Sequence, residues 1–93
     1  GKYPNTYDNK LLLISAILGY FKELEADDLL VRDASTVDID VAAQTTYLQS
    51  QGVDVSAMDE MAIRKANTQD QVFLTASISV LDAIEDIKLV INL

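Results

Sequence analysis

The chain has 93 residues, of which 49% are hydrophobic, and its formal net charge is -8 at pH 7. This length suits a single domain, and the acidic excess disfavours nucleic acid and anionic lipid as partners, because both would repel the chain. Cysteine and histidine are absent, which excludes disulfides, thiol nucleophiles and the commonest general base and metal ligand, so we expect neither an enzyme nor a cofactor or metal site.

The first nine residues contain turn formers without a periodic pattern, which predicts an extended lead-in before Asp8 or Asn9 caps a helix. From residue 10 to about residue 25, apolar residues recur at helical spacing, and most of the first two turns are apolar. Such a helix should be covered on more than one side. No window is apolar enough to predict a membrane span. The chain begins at Gly1 without an initiator methionine, and we expect it to be a piece of a longer protein.

Acidic residues crowd the end of this helix and the segment that follows it. They are Glu23, Glu25, Asp27, Asp28 and Asp33. Calcium requires several carboxylates, but the spacing of a calcium-binding EF-hand loop is absent. We therefore interpret the cluster as a solvated helix end. The short apolar run at residues 29–32 predicts either a final helical turn or a brief strand.

Residues 37–41 alternate between apolar and acidic side chains, which predicts a half-buried strand. The same residues could instead place Asp38 or Asp40 as the cap of a helix that ends near Gly52. A strand that gives way to a helix near Asp40 satisfies both patterns. Asp38 and Asp40 also resemble the paired aspartates of some metal sites, but strand-edge or capping roles are the simpler interpretation.

Residues 56–59 form a variant of the capping box, with Ser56 as the helix cap and Asp59 three residues later. The helix predicted after them ends at residues 67–70. It carries Arg64 and Lys65, the only adjacent basic pair in the sequence. This pair either complements the helix dipole or contacts an acidic partner.

The clearest pattern lies in the last part of the chain, where residues 71–80 and residues 87–93 each alternate between an apolar and a polar face. We predict an α+β domain in which about three helices pack on a small, mainly antiparallel sheet that includes these strands. The last strand consists of Ile87, Lys88, Leu89, Val90, Ile91, Asn92 and Leu93. No proline or acidic residue protects its edge. It either pairs with residues 71–80 of its own chain or adds to the sheet of another copy.

Several short motifs extend over most of the chain. They are Asn5 to Lys10, Ala43-Gln44, Tyr47-Leu48, Gln51 to Asp54, Ala66 to Thr68, Val72 to Leu74 and Val80 to Ile87. Together they resemble the C-terminal domain of contractile tail sheath proteins, in the form found in prophages and phage-tail-like bacteriocins of Gram-positive bacteria. The last motif is the sharpest, since relatives carry a comparable segment between their two final strands.

The resemblance implies a structural protein whose subunits polymerise as stacked rings around an inner tube and contract to drive the tube through a bacterial envelope. It also implies that neighbouring subunits complete each other's sheets, with residues 87–93 as the exported strand and residues 71–80 as the receiving strand. Arg64 and Lys65 become candidate contacts with the inner tube protein. The implied location is the bacterial cytoplasm during assembly and then the virion or a released tail-like particle.

The alternative is a stand-alone acidic binding module, which acts either as an inhibitor that imitates nucleic acid or as an adaptor. The net charge of -8 favours it, whereas the scatter of the acids along the chain disfavours it. Molecular size separates the two functions, because such a module stays a small soluble species and a sheath subunit polymerises.

Overall fold

The computed structural model describes residues 6–69, 71–81 and 86–92. Its elements are α1 (Tyr7–Ala26), β1 (Thr36–Ile39), α2 (Val41–Ser50), α3 (Glu60–Lys65), β2 (Phe73–Ser79) and β3 (Asp86–Asn92). Three helices and three strands in this part of the chain confirm the predicted α+β class. Most of the predicted lead-in, residues 82–85 of the sharpest motif, and Leu93 lie outside the described residues.

β2 lies in the middle of an antiparallel sheet with the strand order β1-β2-β3. Ala76 of β2 stands opposite Val37 of β1 and Leu89 of β3, so the apolar faces of the three strands coincide. β3 therefore pairs with β2 of its own chain, which is the internal one of the two predicted alternatives. Leu30 forms an isolated antiparallel bridge with Val80, so the apolar run at residues 29–32 follows the brief-strand alternative.

The hydrophobic core lies between α1 and one face of the sheet. Phe21, Leu30 and Ala76 form its buried centre. Partly buried side chains from α1 and from all three strands surround this centre: Ile17, Leu24, Val37, Ile78, Val80, Leu89 and Ile91. Since side chains alternate along a strand, Thr75 and Ser77 of β2 lie on the opposite face of the sheet.

α1 begins earlier than its sequence pattern predicts. Its cap is Thr6, whose Oγ1 accepts a hydrogen bond from the Asn9 N–H at 3.1 Å, so the prediction of Asp8 or Asn9 is wrong. A threonine hydroxyl can serve as a cap, as a carboxylate does. Once Thr6 holds this position, Asp8 becomes an acidic residue of the first turn, where it complements the helix dipole.

The described part of the chain covers only one side of α1. Phe21 is buried, whereas Leu12 and Tyr20 on other sides of the helix are 68% and 58% exposed. Residues 6–69, 71–81 and 86–92 therefore do not provide the expected cover on more than one side of this helix. Despite the apolar character of α1, no helix in the described ranges combines the length and the apolarity needed to cross a bilayer.

The chain changes from strand β1 to helix α2 at Asp40, as predicted. Asp40 ends the strand and caps the helix, because its side chain accepts a hydrogen bond from the Ala43 N–H at 3.0 Å. After the helix, Gly52 has a φ of 81°, a left-handed conformation that glycine adopts without a steric penalty. The predicted turn at Gly52 is thereby confirmed.

The start of α3 differs from the prediction. Asp59 is the cap, and its carboxylate accepts a hydrogen bond from the Ala62 N–H at 2.7 Å. The Ser56 hydroxyl instead donates to Asp54 at 2.6 Å. Ser56 was wrongly predicted as the cap because the backbone between it and Asp59 is not helical, and its nearest acceptor is the preceding carboxylate.

Candidate interaction surfaces

β3 forms one edge of the sheet, and its outer side has no partner strand within residues 6–69, 71–81 and 86–92. The strand is seven residues long and contains no proline, so its edge can offer backbone N–H and C=O groups to another strand. Lys88 and Val90 are exposed, Val90 to 71%. Leu89 and Ile91 pack against the core instead.

Two other members of the predicted exchange segment can be placed. Ile87 stands opposite Ile78 of β2 and is 40% exposed. Asn92 stands opposite Phe73 at the far end of the ladder. Within residues 87–91, Leu89 and Ile91 therefore belong to the core, whereas Ile87, Lys88 and Val90 are exposed.

The edge at β1 is protected, in contrast to the edge at β3. β1 has four residues, and the Asp40 N–H donates to Phe73 O, so the Ile39 N–H points away from β2. That outward N–H donates to the Asp38 carboxylate at 2.8 Å. Arg64 pairs with the same carboxylate. A further strand therefore finds fewer free groups at β1 than at β3.

The predicted cation pair does not form one open basic patch. Only 17% of the Arg64 side chain is exposed, and it pairs with Asp38 and, at 3.8 Å, with Glu60. The hydrogen bond with Asp38 raises the pKa of Arg64 above its usual value. Lys65 is exposed, and its Nζ lies 5.7 Å from the centroid of the Tyr7 ring. Arg64 is thus part of the fold, and Lys65 has the accessible charge.

Glu25 changes the interpretation of the acidic cluster. It is only 3% exposed, and its Oε1 accepts a hydrogen bond from the Asp33 N–H at 2.9 Å. Its Oε2 accepts one from the Ser35 N–H at 3.3 Å. The interaction with Ser35, followed by the backbone hydrogen bond from Asp33, lowers the pKa of Glu25 to about 2. The prediction of a wholly solvated helix end is therefore wrong for this residue, which anchors the loop after α1.

A buried polar network joins the three helices. Lys10 is 1% exposed and Gln44 is 0% exposed. Lys10 Nζ donates to Gln44 Oε1 at 3.0 Å and to Ala66 O at 3.3 Å. Gln44 Nε2 in turn donates to Ile63 O at 2.6 Å. Burial lowers the pKa of Lys10, because the charged ammonium group is removed from water.

This network attaches α3 to the rest of the domain. None of the residues of α3 is buried, so the helix depends on polar contacts at its C-terminal carbonyl groups. Only two weak signals in the sequence indicate the network: Lys10 directly precedes a long apolar run, and Gln44 lies in a stretch without charges. Within the described residues, no three histidine, cysteine or acidic side chains are arranged to hold a metal ion.

No family model matches the chain. Among curated proteins, the tail sheath protein of Clostridium phage phiCD119 is 41% identical to it over 88 residues, which is 95% of the chain. The predicted resemblance to tail sheath proteins is confirmed. The chain spans 24% of the length of that tail sheath protein. The similarity therefore relates nearly all of this α+β domain to a limited part of a larger sheath protein.

Proposed function

We propose that this chain is a structural, non-enzymatic part of a contractile tail sheath that polymerises around an inner tube and contracts to drive it. The observation that carries this proposal is the 41% identity with a phage tail sheath protein over 95% of the chain. The edge position of β3 supports polymerisation, because an edge strand can pair with another chain while β1 and β2 stay paired. The absence of histidine and cysteine supports a role without catalysis.

Strand exchange between copies is the mode of polymerisation that we propose. Residues 87–93 of one copy pair with residues 71–80 of another, in the register that β2 and β3 have within a single chain. Because every copy presents the same β2, the exchanged pairing forms the same hydrogen bonds and apolar contacts as the internal pairing. These main-chain hydrogen bonds act as hinges that persist while the subunits move during contraction.

Mixed single-cysteine copies of the full-length protein test the exchange. These 93 residues contain no cysteine, and any cysteine elsewhere in the protein is replaced with serine. Ser77 and Lys88 stand directly opposite each other, so their Cβ atoms are about 5 Å apart. Copies with Ser77→Cys should form disulfides with copies with Lys88→Cys after mild oxidation, and a dimer should appear on a non-reducing gel. Thr46→Cys, on the exposed side of α2, is the control and should give no dimer.

Two outcomes contradict different parts of the proposal. Polymers that form without the mixed Ser77–Lys88 dimer contradict strand exchange and leave the sheath role intact. A species that remains monomeric at every concentration in analytical ultracentrifugation contradicts the sheath role itself. The latter result favours the alternative, an acidic binding module with a net charge of -8.

We also propose that Lys65, with Arg64 beside it, contacts the inner tube. Lys65 is the exposed member of the pair, and Arg64 is neutralised by Asp38. Lys65→Glu should weaken co-sedimentation of the sheath protein with preformed tubes. Arg32→Glu is the matched control, because the Arg32 side chain is 68% exposed on another part of the chain. Equal co-sedimentation of the Lys65→Glu variant and the unchanged protein would contradict this contact.

A further inference from the structure

Two opposite faces of the domain expose apolar side chains. The first is the outward face of α1, on the side away from the sheet. Leu12 is 68% exposed there, and Tyr20 on its flank is 58% exposed. Between them lie Ala16, which is exposed, and Gly19, where an added Cβ would meet no atom within 4 Å. We call this surface the helix face.

The second surface is the face of the sheet that α1 does not cover, and we call it the open sheet face. Leu30 and Val80 bridge on the core side, so alternation places their neighbours Leu29, Val31 and Leu81 on the open side. These three are 57%, 38% and 39% exposed. Ser77 lies in the middle of this face opposite Lys88, and Thr75 lies between Asp38 and the exposed Val90. At one end of the face, the ring centroid of Tyr47 in α2 lies 5.5 Å from that of Phe73.

The central segments of both faces contain few charges. Residues 11–21 of α1 and residues 71–81 around β2 contain no charged side chain, although the net charge is -8. Two copies of an acidic chain repel each other, and this repulsion is smaller between surfaces with few unpaired acidic groups. On the open sheet face, Asp38 is paired with Arg64.

The margins of the two faces carry opposite charges. Glu23 lies one turn beyond Gly19 on the outward side of α1, and Lys88 lies beside Val90 at the margin of the sheet. Both side chains are exposed, and neither forms an ion pair within the described part of the chain. The helix face of one copy therefore complements the open sheet face of another.

We propose that the helix face of one copy covers the open sheet face of the next copy in the polymer. This inference rests on the proposed function, because the polymer supplies the second copy. The two surfaces lie on opposite sides of the same two-layer domain, so the contact is heterologous and can repeat from copy to copy. It buries apolar side chains that the single chain leaves in water, and it uses side chains on the face of the sheet and not the backbone groups at the edge of β3.

Cross-linking of mixed single-cysteine copies tests this contact. Assembled polymers of the full-length protein should give a mixed dimer when Ala16→Cys copies and Ser77→Cys copies are treated together with a short bismaleimide. Ala16→Cys copies alone should give none. Thr46→Cys in place of Ala16→Cys is the control for random contact, and it should also give none.

The outcomes separate this contact from the proposed function. If polymers form and the Ala16–Ser77 dimer is absent, or if Ala16→Cys copies cross-link to each other instead, the stacking of the two faces is wrong and the sheath role stands. If no polymer forms at all, the proposed function fails first.

Charge exchange gives a second readout: Glu23→Lys and Lys88→Glu should each reduce polymer yield severalfold, and the double variant should restore it. A double variant as weak as either single variant would overturn the pairing.

Discussion

Replacing Gln44 with leucine should lower the free energy of unfolding by about 3 kcal/mol, because it removes a hydrogen-bond acceptor from a buried ammonium group and a donor from a buried carbonyl group. Gln44 is 0% exposed, and its partners Lys10 and Ile63 lie on two other helices or at their ends. Leucine has a similar volume, so the loss is polar and not a cavity effect. For a domain of this size the thermal midpoint should fall by roughly 12–20 °C in circular dichroism.

Gln49→Leu is the matched control, because Gln49 lies on the same helix and is exposed. It should change the free energy of unfolding by less than about 0.5 kcal/mol. Adding Lys10→Met to Gln44→Leu should recover part of the loss, since the buried charge that lost one of its two acceptors is then removed. If Gln44→Leu and Gln49→Leu unfold at the same temperature, the network does not hold the helices together.

The sequence predicts those parts of the fold that depend on local periodicity. Alternation in residues 71–80 and 87–93 predicts two strands with one apolar face each, and β2 and β3 confirm these strands. Alternation left open whether the two strands pair within one chain. The change from strand to helix at Asp40 is also predictable, because a single carboxylate follows the strand and caps the helix. These features require only interactions between residues near in sequence or repeated at a fixed period.

The features that were missed depend on tertiary contacts. Lys10 and Glu25 are charged, so a pattern of polar and apolar residues assigns them to solvent, yet both are nearly fully buried with polar partners. The partners of Lys10 lie 34 and 56 residues away, and the backbone partners of Glu25 lie 8 and 10 residues away. Arg64 similarly finds Asp38 at a separation of 26 residues. Spacing along the chain does not indicate such contacts, because they arise only when the helices pack.

Replacing Phe21 with alanine should lower the free energy of unfolding by about 4 kcal/mol, the largest loss that we expect from one core substitution. Phe21 is 8% exposed and forms the centre of the core with Leu30 and Ala76. A domain of 93 residues has a stability of roughly 5–14 kcal/mol, so the variant retains a small margin. Urea denaturation followed by circular dichroism measures the change.

Tyr20→Ala is the control that separates folding from assembly. Tyr20 adjoins Phe21 in sequence and is 58% exposed, and the centroids of the two rings lie 6.1 Å apart. Its loss should therefore cost at most about 1 kcal/mol of stability. Because Tyr20 flanks the helix face, the same substitution should reduce polymer yield while the monomer stays folded. Equal destabilisation by Phe21→Ala and Tyr20→Ala would contradict the central position of Phe21 in the core. A normal polymer yield from Tyr20→Ala would argue against burial of the helix face between copies.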